Sequence, residues 1–122
     1  RRTPSCPYTL MSSTSARVLE LAPAQLATRL ASSDAPILID VRARWEWELA
    51  RIDNARLMPL DDFARSSASL PFDADIIVHC HHGVRSMFAA QFLVTRGFSR
   101  VWNLTGGIDL YAVEGDQRVP RY

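Results

Sequence analysis

The stretch DIIVHCHHGVRS (75–86) joins a continuous apolar run to a short polar loop. An apolar run of this length is typical of a strand that is buried on both faces of a parallel sheet. Residues 84–97 then place apolar side chains at helical spacing, and Gly97 is suited to end that helix because glycine accepts left-handed backbone. The stretch therefore predicts a strand, a tight loop and a helix in direct succession.

The alternation of strands and helices extends to both ends of the chain. PILIDV (36–41) is a second continuous apolar run. Further strands are predicted near 18–21, 55–59 and 101–104, and helices near 23–31, 43–50, 60–70 and 108–114. Such alternation favours a parallel sheet with helices on both faces. We expect one domain over 16–122, with an irregular leader over 1–15 before it and an extended tail over 115–122 at its end.

The composition excludes several classes of function. The 14 basic residues are all arginine, so no lysine can act in catalysis, and the formal net charge of +1 gives no reason to expect a nucleic acid or a membrane as partner. No apolar window approaches the roughly 18 residues of a membrane helix. Two cysteines do not make a disulfide framework, so we expect a reducing, cytoplasmic location.

Cys80 is the leading candidate for a reactive residue because it stands where a predicted strand stops. Gly83 gives the following loop the backbone freedom to turn its N–H groups inward, and the next helix presents its positive end. Arg85, His81 and His82 can add positive potential. These features favour the thiolate form of the cysteine, which is a nucleophile.

The same residues also allow plainer interpretations. Cys80 could be a buried structural thiol, as free cysteines often are. The glycine and the arginine that follow it favour instead the interpretation of Cys80 as a reactive thiol. His81 and His82 either attract an anionic donor or are solvated loop residues, and both interpretations stay open. His79 is expected to point away from Cys80 and to be packed or hydrogen-bonded. A zinc site is not expected, since adjacent residues rarely match tetrahedral geometry.

Three tryptophans and a second cysteine are given structural rather than functional interpretations. Trp45, Trp47 and Trp102 are expected in the core or half-buried, because scattered aromatics seldom mark a ligand site. Cys6 lies in the predicted leader and is expected to be an idle thiol.

Three motifs, in order along the chain, resemble those of single-domain rhodaneses. Cys-His-His-Gly-Val-Arg-Ser (80–86) is similar to the family's active-site loop. Asp-Val-Arg (40–42), followed by Glu46 and Trp47, resembles a second motif, and Gly-Gly-Ile-Asp (106–109) resembles the C-terminal Gly-Gly motif. The resemblance implies a rhodanese-like three-layer α/β/α sandwich with a central, mainly parallel five-stranded sheet.

The resemblance also implies a reaction. In rhodaneses the cysteine takes the outer sulfur of a donor such as thiosulfate and passes it, as a persulfide, to cyanide or a thiol. Carried over, Cys80 is the nucleophile and Arg85 the catalytic arginine of its loop. The substrate-binding cradle would be His81, His82, Gly83, Val84 and Ser86. The acceptor could also be a thioredoxin-like or sulfur-carrier protein, and neither cofactor nor metal is expected beyond the persulfide.

Support for the loop is expected from the neighbouring strand, and several positions depart from the family, Arg51 and Asn54 among them. Asp40 and Arg42 are assigned as loop-supporting residues, with the Asp40 carboxylate pairing with Arg85. Arg51 stands where the family usually has a histidine, which puts any role of that position in doubt. Asn54 replaces a glycine and is expected to keep the left-handed turn.

Two rival functions remain for the same fold. Phosphatases and arsenate reductases that resemble rhodaneses use a loop one residue longer, whereas here only four residues separate Cys80 from Arg85. A shorter loop suits a single sulfur atom better than a tetrahedral oxyanion. A non-catalytic rhodanese-like binding module is the other rival, although such modules generally lack the cysteine.

Overall fold

A computed structural model describes residues 17–122. The leader over 1–15, with Cys6, lies outside the described residues, and the domain boundary at residue 16 stays a prediction. Five strands lie within residues 17–122: β1 Leu19–Leu21, β2 Ile37–Asp40, β3 Arg56–Leu57, β4 Ile76–His79 and β5 Val101–Leu104. Five α-helices connect or follow them: α1 Pro23–Leu30, α2 Arg44–Leu49, α3 Phe63–Ser66, α4 Val84–Thr95 and α5 Gly107–Glu114.

The strands form one sheet in the order β1-β5-β4-β2-β3, and every neighbouring pair is parallel. The expected mainly parallel, five-stranded sheet is confirmed as an entirely parallel one. A crossover element joins each strand to the next because parallel neighbours cannot be linked by a tight hairpin.

Two apolar clusters cover the two faces of the sheet, which gives the three layers that the sequence implies. Alternate residues of a strand point to opposite faces, so Ile76 and Val78 enter one cluster while Ile77 enters the other. The first cluster packs under α3 and α4, and the second packs under α1 and α5. Strands buried on both faces explain the continuous apolar runs in the sequence.

The sheet brings the ends of its central strands to one edge. Asp40 ends β2 and lies opposite His79, the last residue of β4. Cys80 follows immediately, and Asn103 of β5 pairs in register with Val78. Ligands of parallel sheets bind beyond the carboxyl ends of the strands, so this edge is where a site is expected.

Left-handed backbone occurs where the sequence predicts it. Asn54 has a φ of 71° and is the one non-glycine residue with positive φ among residues 17–122. It keeps the turn for which the family uses glycine. Gly97 has a φ of 104° and follows the end of α4, as predicted.

Three expectations need correction. The segment 60–70 is two 3₁₀ turns, Leu60–Asp62 and Ser67–Ser69, on either side of the single turn α3, rather than one helix. Trp45 is 62% exposed, because it lies on the outward face of α2, whereas Trp47 and Trp102 are half-buried as expected.

The third correction concerns the tail. Residues 115–122 are not extended throughout, because the Val119 N–H bonds the carbonyl of Asp116 at 3.1 Å and reverses the chain. This turn returns Tyr122 to the edge of the sheet that carries Cys80. Within residues 17–122, no helix has both the length and the apolar character needed to cross a membrane.

Candidate active site

Cys80 is the first residue of the loop between β4 and α4, and it is 1% exposed. Its Sγ atom is 3.1 Å from the Gly83 backbone nitrogen and 3.4 Å from both the backbone nitrogen and the Oγ atom of Ser86. N–H and O–H donors that converge on one sulfur stabilise negative charge on it. Position 83 requires glycine because its φ is 105°, a backbone conformation that other residues rarely adopt. Crowding is not the reason, since an added Cβ would meet no atom closer than 3.6 Å.

The Gly-Gly motif holds the loop from the opposite side. The first N–H groups of α5 bond the loop carbonyls, Ile108 to Cys80 at 2.9 Å and Asp109 to His81 at 3.1 Å. In a trans peptide, the carbonyl of one residue and the N–H of the next residue point in opposite directions. The N–H groups that follow the Cys80 and His81 carbonyls therefore point away from α5. A Cβ on Gly107 would lie 2.3 Å from the His81 carbonyl oxygen, which excludes any larger residue there.

Ser86 and Asn103 form a polar relay beneath the cysteine. The Ser86 Oγ atom is 2.5 Å from Asn103 Oδ1, and Asn103 Nδ2 donates to the Gly83 carbonyl at 3.2 Å. The hydroxyl carries one proton, so Asn103 and the Cys80 sulfur are alternative acceptors for it. Sequence reasoning missed Asn103, although a polar residue near the end of a buried parallel strand was an available signal.

Arg85 pairs with Glu46 rather than with Asp40, so the expected Asp40–Arg85 contact is wrong. Arg85 Nη1 and Nη2 donate to the two Glu46 oxygens at 2.6 and 2.9 Å. Arg85, with a smaller contribution from Tyr122, lowers the pKa of Glu46 to about 2 against the opposing effect of burial. Glu46 in turn raises the pKa of Arg85, and the Cys80 thiolate adds a smaller contribution in the same direction.

The Asp40 carboxylate is not available to Arg85 because it already pairs with the guanidinium of Arg42. Arg42 donates through Nε to Asp40 Oδ1 at 2.9 Å and through Nη2 to Oδ2 at 2.7 Å, and both side chains are fully buried. The remaining Arg42 donors reach the Ala50 carbonyl at 2.6 Å, the Glu46 carbonyl at 3.3 Å and the Tyr122 hydroxyl at 2.8 Å. The pair is therefore hydrogen-bonded to α2 and to its last turn, and α2 is the helix that carries Glu46.

Glu46 has a further local role that explains its orientation. Its Oε1 atom accepts the backbone N–H of Ala43 at 3.1 Å and so caps the N-terminus of α2. Sequence reasoning used Glu46 only as part of the motif and did not assign it to Arg85. The pairing depends on how α2 packs against the sheet, which no local pattern reveals.

The three histidines lie in different environments. His79 is fully buried, with Nε2 3.7 Å from Asp40 Oδ2, and burial lowers its pKa. It is thus a packed histidine. Burial, then the neighbouring His82, lowers the pKa of His81, which favours the neutral form of its ring. The His81 ring stacks on His82 with centroids 4.0 Å apart, and the largely exposed His82 has Nε2 3.6 Å from Asp109 Oδ2.

The remaining predicted residues lie around this centre. Val84 is exposed at the start of α4, beside the loop. Arg51 is exposed, its guanidinium lies over the Trp47 ring, 5.2 Å from the centroid, and its Nη1 donates to the Trp47 carbonyl at 3.4 Å. Neither contact involves a residue of the cysteine loop.

One group of side chains in residues 17–122 has metal-ligand types close together: His81, His82 and Asp109, with donor atoms within 4.8 Å of one another. Arg121 already pairs with the Asp109 carboxylate: its Nε donates to Oδ1 at 2.9 Å and its Nη2 donates to Oδ2 at 3.1 Å. A carboxylate neutralised by a guanidinium is a poor metal ligand, and Cys80 is not a member of the group.

Comparisons with known proteins identify the family of the chain. The rhodanese-like domain family matches residues 22–114. A sulfurtransferase of Allochromatium vinosum is 33% identical over 98 residues, which cover 80% of this chain and 92% of that protein. The thiosulfate sulfurtransferase GlpE of Vibrio cholerae is 32% identical over 74 residues, which cover 61% of this chain and 70% of that protein.

A solved structure gives the same result for the fold. The crystal structure of a rhodanese-related protein from Thermoplasma volcanium superposes with a TM-score of 0.71 and 29% sequence identity, over 80% of this chain and 93% of that one. The family match covers most of the chain and includes all three motifs, the cysteine loop among them. The chain belongs to the rhodanese-like domain family.

Proposed function

We propose that the protein is a sulfurtransferase that carries sulfane sulfur as a persulfide on Cys80. The observation that carries the proposal is the convergence of the Gly83 N–H, the Ser86 N–H and the Ser86 hydroxyl on the Cys80 sulfur. These donors stabilise a thiolate before the reaction and a persulfide anion after it. Relatives that bear sulfurtransferase names support a sulfurtransferase in general.

The first half-reaction is a displacement at sulfur. The Cys80 thiolate attacks the outer sulfur of thiosulfate, a new S–S bond forms at Cys80, and the donor's own S–S bond breaks. Sulfite leaves with the electron pair of the broken bond. Because the sulfur arrives on the protein as a covalent intermediate, donor and acceptor need not be bound together.

The second half-reaction regenerates the thiolate. Cyanide or a thiolate attacks the outer sulfur of the persulfide, and Cys80 leaves as the thiolate. The product is thiocyanate or a new persulfide on the acceptor, which can be a small thiol or a thioredoxin-like or sulfur-carrier protein. Both steps are displacements that conserve electrons, so the chemistry requires neither metal nor cofactor.

Arg85 is suited to hold the anionic part of the donor. Its side chain is 38% exposed, and two of its terminal N–H groups bond Glu46. A guanidinium has further N–H donors, and these stay free to bind the sulfonate oxygens of thiosulfate. The loop N–H groups of His81 to Ser86 would hold the transferred sulfur, and His82 lies at the exposed rim.

Intact mass spectrometry tests the proposal. Wild-type protein incubated with thiosulfate and desalted should gain about 32 Da, the mass of one sulfur, on the nucleophile. The Cys6→Ser variant should gain the same mass, and Cys80→Ser should gain none. If wild type gains no mass from thiosulfate or from glutathione persulfide, or if Cys80→Ser gains as much, the proposal is wrong.

A further inference from the structure

Tyr122 reaches the site from the tail and makes contacts of two kinds. Its hydroxyl donates to Glu46 Oε2 at 2.7 Å and accepts from Arg42 Nη1 at 2.8 Å. Its ring stacks face to face on His81, with centroids 4.2 Å apart and an angle of 10° between the planes. The side chain is half-buried, and the ring of Trp45 packs edge-on against it.

These contacts connect Tyr122 to both ends of the cysteine loop. Glu46 holds Arg85, which closes the loop, through two hydrogen bonds. His81 follows Cys80 directly, and its carbonyl is held by α5. The Tyr122 side chain thus restrains His81 directly. Through Glu46 it also restrains Arg85.

The position lies outside the motifs of the family. The family match ends at residue 114, whereas the turn at 116–119 and Tyr122 follow it. The family resemblance therefore assigns no role to this side chain, and its role has to be read from the contacts.

We propose that Tyr122 is a positioning residue for sulfur transfer, which orients Arg85 through Glu46 and His81 through ring stacking. The inference rests on the proposed function of Cys80. Tyr122 acts through its two neighbours and does not itself bind the reacting sulfur. Groups that are already held in the reactive geometry lose little conformational freedom when the donor binds. Removal of the Tyr122 side chain should therefore reduce the rate of sulfur transfer more than the stability of the fold.

Two substitutions separate the contacts. Tyr122→Phe removes the hydroxyl and keeps the stacked ring, whereas Tyr122→Leu removes both. Arg118→Ala is the matched control, because Arg118 lies on the same tail, is largely exposed and pairs with Asp116 away from the loop. All variants are made with Cys6→Ser, which leaves Cys80 as the one thiol of the chain.

Steady-state kinetics with thiosulfate and cyanide give the first readout. We expect kcat/KM for thiosulfate to fall about tenfold in Tyr122→Phe, which loses the hydroxyl's charge-assisted hydrogen bonds to Glu46 and Arg42, and about 30-fold in Tyr122→Leu. The larger part should appear in KM for thiosulfate, because Arg85 binds that donor. Arg118→Ala should equal the parent. If Tyr122→Leu lowers the melting temperature but keeps the parent kcat/KM, the residue is structural only and the proposal is wrong.

A double-mutant cycle tests the stacking contact by itself. If Tyr122 acts through His81, the losses in kcat/KM of Tyr122→Leu and His81→Ala should be less than additive when the two are combined. Full additivity would show that the two side chains act independently and would contradict that part of the proposal.

Hydrogen–deuterium exchange separates this inference from the proposed function, since it needs no turnover. In Tyr122→Leu, the amides of 80–86 should exchange faster while those of β4 and β5 keep parent rates, and Arg118→Ala should match the parent throughout. If the wild type gains no sulfur but the loop still exchanges faster in Tyr122→Leu, the proposed function fails and the positioning of the loop stands. If the wild type gains sulfur and loop exchange is unchanged, the positioning proposal fails alone.

Discussion

Two carboxylate–guanidinium pairs stand beside the cysteine loop, and they differ in how much water reaches them. Asp40 and Arg42 are fully buried, and protein groups satisfy every donor of the arginine. In the second pair Glu46 is 5% exposed and Arg85 is 38% exposed. Asp40–Arg42, here called the closed pair, has no N–H donor left for a ligand. Glu46–Arg85, here called the open pair, still has N–H donors that a ligand can reach. The same pairing of groups therefore builds structure in one place and a binding site in the other.

The largest effect should come from breaking the closed pair. Asp40→Ala leaves the Arg42 charge buried without its partner, which should cost about 3–5 kcal/mol of unfolding free energy. Urea unfolding followed by circular dichroism at pH 7 measures this loss. Arg118→Ala, which breaks the exposed pair with Asp116, is the control and should change stability by less than about 0.5 kcal/mol. Equal stability of Asp40→Ala and wild type would contradict the comparison.

Changing the open pair should affect turnover more than stability. Arg85→Lys keeps the charge but loses the planar fork that can bind Glu46 and a donor together. We expect kcat/KM for thiosulfate to fall about 10- to 100-fold, the range for one lost hydrogen bond to a charged group, with a smaller change in melting temperature than in Asp40→Ala. A variant that is as active as wild type but strongly destabilised would reverse the roles given to the two pairs.

Acid should weaken the open pair over a defined range of pH. The pKa of Glu46 is lowered from 4.5 to about 2 in the folded protein, first of all by Arg85. A lowered pKa stabilises the fold above pH 4.5, and this stability is lost as the pH falls from 4.5 toward 2. Allowing for the exposure of Arg85, the contribution is about 1–2 kcal/mol.

The variant Glu46→Gln measures that contribution. Its difference from wild type in unfolding free energy should be full at pH 6 and should shrink as the pH falls below 4.5, because Glu46 of the unfolded wild type then takes up a proton while the folded state, with its lower pKa, does not. Urea titrations at several pH values between 3 and 7 provide the test. A difference that is constant over this range would exclude an ionised, stabilising Glu46.

The smallest effect should come from the relay under the cysteine. Ser86→Ala removes one of the donors to Cys80 and keeps the two backbone N–H groups. We expect kcat to fall about threefold to tenfold, as for the loss of one neutral hydrogen bond. Asn103→Leu should cost at least as much, because it removes the hydrogen bond that supports the Gly83 carbonyl. Wild-type kinetics in both variants would show that the relay does not contribute.

The sequence predicted the parts of the molecule that depend on local patterns. Continuous apolar runs gave the buried strands, and glycine or asparagine marked the left-handed turns at Asn54 and Gly97. The loop from Cys80 to Arg85 could be placed because a strand, a glycine and a helix follow one another within a few residues. Each of these signals lies inside one element or one turn.

Contacts that depend on packing between distant elements could not be predicted in the same way. The partner of Arg85 was assigned to Asp40, since both follow neighbouring strands, but Arg42 folds back onto Asp40 and α2 presents Glu46 instead. Tyr122 was missed because a turn in the tail, stabilised within 116–119, redirects the chain toward the site. Neither outcome has a periodicity or a spacing that a single sequence displays.

A single-turnover transfer tests the central claim most directly. Protein loaded with thiosulfate is desalted and treated with cyanide, and thiocyanate and intact mass are measured on the same sample. We predict up to one thiocyanate per Cys80, equal to the sulfur loaded, and a return to the unmodified mass as about 32 Da is lost. A persulfide that cyanide does not remove, or thiocyanate formed equally well by Cys80→Ser, would contradict the account.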